Sequence, residues 1–116
     1  MEGPFVKYVL LLPLCYNDGR KVPSRTLSGM TDKLFVLAGG FTIAGTVQGA
    51  YQMEDGTRQE DECLQVWIGV REEQVRDLKE LVAKFGRTLG QEKMYLERTG
   101  GSIEFIRPFE RSGEGT

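Results

Sequence analysis

Across residues 72–89, apolar side chains fall at Val75, Leu78, Leu81, Val82, Phe85 and Leu89, while Lys79, Glu80 and Lys84 take intervening positions. Spacings of three and four draw one apolar stripe along an α-helix, and such a stripe has to be buried against a partner surface. The flanking sequence supplies one. Residues 64–70 before the helix and 93–96 after it read as strands, so the C-terminal half is a β-α-β unit, with Gly90 suited to the position just past the helix.

The N-terminal half repeats this order. Residues 7–15 are almost continuously apolar, as expected of a central strand covered on both faces, with Pro13 at a bulge or where pairing ends. Asn17-Asp18-Gly19 is a turn signal. A helix follows, with Ser24 as N-cap, apolar positions at Leu27, Met30, Leu34, Leu37 and Ala38, and Gly39-Gly40 as its stop. Gly29 weakens its first turns. Residues 46–53 alternate, Asp55-Gly56 turns the chain, and residues 63–70 return. Gly100-Gly101 interrupts the last strand, leaving residues 102–107 as a bulged continuation or a further short edge strand.

The order β-α-β-β-α-β predicts an α+β domain of the ferredoxin-like split type, an antiparallel sheet with two helices on one face and a possible extra C-terminal edge strand. With 116 residues the chain has room for one core, expected over residues 1–109, with 110–116 as a flexible polar tail. Right-handed crossovers put the first and third strands side by side, antiparallel. Cys15, Asn17 and Asp18 then approach Asp61, Glu62 and Cys63, with Ser24 and residues 91–93 nearby. On the uncovered face Trp67 joins Val9 and Leu11, or Leu10 and Leu12.

Composition narrows the chemistry. The absence of histidine removes the commonest general base and transition-metal ligand, and with them His-ligated zinc and His-based triads. A net charge of −2 and scattered Lys and Arg residues give no phosphate-tracking stripe, so nucleic acid is not an expected partner. The apolar run 8–14 is too short to span a bilayer, and Met1-Glu2-Gly3-Pro4 lacks the basic start of a secretory signal. A cytoplasmic protein without a membrane partner is the expectation, and a count of only two cysteines agrees with it, since a small secreted scaffold would normally carry more.

Three constellations carry chemistry. Asp18, Asp61 and Glu62, with Glu60 nearby, are hard oxygen ligands for Mg²⁺, Mn²⁺ or Ca²⁺, although their spacing matches no calcium loop and acidic residues beside turns are commonly just solvated. Cys15 and Cys63 can meet across adjacent strands as a redox pair or disulfide, but form no CxxC motif, and a buried thiol is usually a small hydrophobe. Tyr51, Trp67 and Tyr95, with Asn17 and Asp18 at the rim, are the candidate lining of a small-ligand pocket, against the plainer role of strand packing. No glycine spacing matches a phosphate-binding loop.

The chain resembles small uncharacterised bacterial ferredoxin-like proteins through Leu12-Pro13-Leu14-Cys15-Tyr16-Asn17-Asp18-Gly19, Gly39-Gly40-Phe41-Thr42, the hairpin at Asp61-Glu62 and Leu89-Gly90-Gln91-Glu92, a likeness covering residues 7–106. The resemblance implies the fold and carries no activity. Two functions stand as expectations. One is a non-enzymatic module that binds a small molecule or associates with itself, a dimer being favoured, through the open sheet face. The other is a metal-assisted hydrolase or lyase using Asp18, Asp61 and Glu62.

Overall fold

The computed structural model describes residues 4–104, so the expected tail 110–116 and the strand alternatives beyond residue 104 lie outside the described residues. Its elements are β1 (Phe5–Pro13), α1 (Ser24–Ala38), β2 (Thr42–Gln52), β3 (Arg58–Val70), α2 (Val75–Leu89) and β4 (Leu96–Ile103), with a single 3₁₀ turn at Glu72–Gln74 leading into α2. The chain is α+β, and its four strands form one antiparallel sheet in the order β2-β3-β1-β4.

Alternation decides the layers. Tyr8, Leu10 and Leu12 of β1 lie opposite Ile68, Val66 and Leu64 of β3, and this row points towards the helices. Met30 and Leu34 of α1, together with Leu78, Val82, Phe85 and Leu89 of α2, close over it in one cluster. Both helices therefore cover the same side of the sheet. Leu10, Leu12, Leu34, Val66 and Leu78 are wholly buried.

Local signals set most boundaries. Gly39 and Gly90 end the helices in the left-handed conformation (φ 84° and 67°), where a side chain would be strained. Pro13 closes β1 opposite Cys63, as its missing N–H demands. Ser24 is not the cap expected of it. It is the first helical residue, without a side-chain cap, and the carbonyl of Pro23 accepts the N–H groups of Thr26 and Leu27 instead. A proline at that position has no amide of its own to satisfy.

The strands differ more. β2 starts at Thr42 because a bulge at Gly45 (φ 113°) lets pairing continue past a register break. β3 starts at Arg58, before the expected residue 63, since polar residues pair along the hairpin as well as apolar ones. From Thr46 around the turn to Asp61 no residue is buried, so the hairpin runs out past the core as an arm. The last strand lies later than expected. Residues 93–95 precede it, and β4 passes through Gly100 and Gly101 with a register shift opposite Val6 and Tyr8, a bulged continuation.

Gln74 joins the two helices: its Oε1 accepts the Arg71 N–H (2.8 Å) and its Nε2 donates to the carbonyl of Leu37 (2.9 Å). Arg98 of β4 clamps Glu72 with two bonds (2.9 and 2.7 Å) and holds that carboxylate below its ordinary range. No helix among the described residues is long and apolar enough to cross a membrane.

Leu78→Ala should lower the unfolding free energy by about 2–5 kcal/mol in urea titrations, because it empties a fully packed site. Val36→Ala, at a position 84% exposed on α1, should stay within about 0.5 kcal/mol of wild type.

Candidate functional site

A cavity of about 320 Å³ opens on the face of the sheet away from the helices. Its floor is Leu11 and Pro13 of β1 with Asp61 and Cys63 of β3, and one wall is Tyr51, Met53 and Gln59 from the arm. The opposite wall is the connection 91–95, carrying Gln91, Glu92, Lys93, Met94 and Tyr95. The surroundings are mostly apolar with a few convergent polar groups, the make-up of a small-molecule site.

Each wall has a local cause. Residues 61 and 63 share the outward side of β3 because side chains alternate. Tyr51 lies over Gly49, its hydroxyl 2.8 Å from where a Cβ would stand, so glycine makes room for the ring. The 91–95 wall is held at both ends. Asn17 donates to the Gly90 carbonyl (3.1 Å) and its Oδ1 accepts from Gln91 Nε2 (3.1 Å), while the Gln91 amide donates to Gly86 (2.9 Å). At the other end the Leu11 amide donates to the Tyr95 carbonyl (3.2 Å).

The cavity's titratable groups are tuned towards their neutral forms where burial acts. Burial, then the charges of Asp61 and Glu62, raises the Cys63 thiol from 9.0 to about 11. The same desolvation, with Cys63 and Asp61, pushes the Tyr51 phenol up. Tyr95 is raised through its hydroxyl's bond to Glu97 (3.0 Å). At neutral pH two phenols and a thiol, all protonated, face this cavity, and Asp61 accepts one bond from Gln59 (3.2 Å). A thiol of this kind is a poor nucleophile.

The sequence-derived candidates divide. Tyr51, Tyr95 and Asp61 meet in the cavity, and Asn17 braces its wall. Trp67 does not join them. It stands four residues along β3 from Cys63, roughly 13 Å at strand spacing, with Lys7 Nζ 3.7 Å above its ring and its Nε1 donating to Gln65 (2.9 Å). The open face is thus mixed, with Lys7, Gln65 and Glu97 set among Val9, Leu11 and Trp67, where a continuous apolar surface was expected.

Nor do the proposed metal ligands converge. Asp18 pairs with Arg20 (2.7 Å) and also accepts the Arg20 amide, which holds its carboxyl below the ordinary value. Asp61 and Glu62 are consecutive on a strand, so their side chains leave on opposite sides. Among the described residues no three His, Cys, Asp or Glu side chains are grouped to hold a metal ion. Cys15 and Cys63 are both free, and the backbone at Cys15 forms an isolated antiparallel bridge with Lys21.

Sequence reasoning placed residues 91–93 near this rim without making them part of a site. The available signal was Gly90-Gln91-Glu92, a helix stop followed at once by polar residues. Met53 and Met94 gave no signal of their own.

No protein-family model and no curated protein matches the sequence. Solved structures do. A phage SAM lyase, in complex with S-methyl-5'-thioadenosine, superposes with a TM-score of 0.65 at 13% identity, over 92% of this chain and 93% of that one. CutA1 from Oryza sativa superposes with a TM-score of 0.62 at 15% identity, over 90% of this chain and 84% of that one. At these identities the likeness is one of fold, an α+β frame spanning nearly the whole chain.

Two outcomes check this geometry. The folded state holds the Cys63 proton more tightly than the unfolded chain, so the associated stability is complete below pH 9.0 and is lost as pH rises towards about 11. Across that window the urea midpoint of wild type should fall more steeply than that of Cys63→Ala; parallel declines would contradict the assignment. Asn17→Ala should cost about 1 kcal/mol and speed hydrogen exchange of the Gln91 amide, read by NMR.

Proposed function

We propose that this chain is a small-ligand-binding domain that associates with itself, non-enzymatic in action, with its ligand in the cavity between Tyr51 and Tyr95. The observation that carries the ligand-binding part of this reading is the cavity itself. It is concave, mostly apolar, of a volume at the lower end of the range for small-molecule sites, and walled by side chains from three separate parts of the chain.

The lining favours a ligand with a flat or apolar body, set against the tyrosine rings, and a hydrogen-bond donor directed at Asp61. A molecule of nucleoside size suits that volume. The phage lyase holds S-methyl-5'-thioadenosine, which supports the idea that a frame of this kind can accommodate such a ligand. The strand order β2-β3-β1-β4 supports a ferredoxin-like split β-α-β-β-α-β arrangement as that frame. The protonated thiol of Cys63 and the dispersed carboxylates favour binding over nucleophilic or metal-assisted chemistry.

Ligand-observed NMR with adenosine and S-methyl-5'-thioadenosine as test compounds should show saturation transfer from wild-type protein. Transfer should disappear in a Tyr51→Ala, Tyr95→Ala variant whose circular dichroism is unchanged. Absence of transfer from wild type for both compounds, together with no retained small molecule in native mass spectra of protein purified from its own host, would remove the support for a ligand site here.

A further inference from the structure

The sheet has two edges, and they are guarded unequally. β4 carries Glu97 and Arg98 and breaks register opposite Val6 and Tyr8. β2 is 11 residues long, Thr-Ile-Ala-Gly-Thr-Val-Gln-Gly-Ala-Tyr-Gln, with neither a charged residue nor a proline. Exposed edges invite pairing with another chain, and proteins normally block them with lysine, proline or a bulge. The bulge at Gly45 protects only the first part of β2, leaving residues 46–52 regularly paired to β3 on one side and open on the other.

We propose that β2 docks a second copy of this chain, residues 46–52 of each copy pairing antiparallel about Gly49. This segment complements itself in that register. Val47 falls opposite the partner's Tyr51, Gln48 opposite the partner's Ala50, and Thr46 opposite the partner's Gln52. A β-branched residue facing an aromatic one is a favourable cross-strand pair, and it recurs symmetrically on the cavity side of the sheet. Electrostatics permits the match. No charge lies on either β2; the carboxylates behind it, Glu60, Asp61 and Glu62 of β3, stand roughly 14 Å from the partner's set at strand spacing, beyond the screening length at physiological salt, and Glu60 is already paired with Arg58 at 3.0 Å.

Tyr51, a cavity wall, would lean on the partner's Val47, yet the pairing holds whether or not the cavity binds a ligand.

Light scattering on the full chain at micromolar concentration should report a dimer. In a Cys15→Ser background, mixing Gln48→Cys with Ala50→Cys protein should give oxidative cross-linking well above either variant alone, because only unlike positions stand opposite each other within disulfide reach. Val47→Lys should weaken association by about tenfold or more while keeping the wild-type circular dichroism. A strictly monomeric wild type, or cross-linking as strong between like positions as between unlike ones, would overturn the proposal. The cross-linking pair decides the matter even if Val47→Lys fails to fold.

Discussion

Leu10 lies level with Val66, and Leu12 with Leu64, along the seam between β1 and β3. That match determines which side chains enter the core and which are left on the other side. A slip of one residue would send Val9 and Leu11 under the helices and turn Tyr8, Leu10 and Leu12 outward. It would also take Leu11 out of the cavity floor. The hydrophobic demand of the core thus fixes the position of the cavity-facing residues, and Cys63 and Met94 belong to both sets.

The sheet places the floor, but connections place the walls. Residues 91–95 have no regular structure, and their position depends on Asn17, a turn residue from the other end of the sequence, on the Gly86 carbonyl and on the β1 backbone. The Asn17 bonds that hold this wall lie at the surface, the kind that opens most readily, while Met94 ties it to the core. Connecting segments borne on a rigid sheet are a common location for binding.

Legibility in the sequence followed the strength of the local physics. Amphipathic α2 was plain because a 3.6-residue period is hard to imitate, and Gly39 and Gly90 marked helix ends because left-handed backbone strongly favours glycine. The antiparallel neighbours β1 and β3 followed from chain order and the handedness of crossovers. β4 was misplaced because Gly100-Gly101 reads as an interruption, whereas backbone pairing with β1 carries the strand through it. Ser24 was misread because a proline can occupy the start of a helix without a side-chain cap. The site was half visible: Tyr51, Tyr95 and Asp61 share the face that alternation assigns them. Trp67 shares that face too, but distance along β3 and the overlying Lys7 set it apart. Asp18 was lost to its own neighbour Arg20, an attraction that spacing alone does not weigh.

Gly86 has a role that its location conceals. It is buried on α2, and a Cβ there would come within 2.9 Å of Met94 Cγ, on a residue that also faces the cavity. The hollow is therefore shaped partly from behind. A methyl group added on the hidden side of the wall would press the methionine forward and narrow the space, so relatives bearing larger residues at this helical position would be expected to have a smaller hollow with the same lining residues.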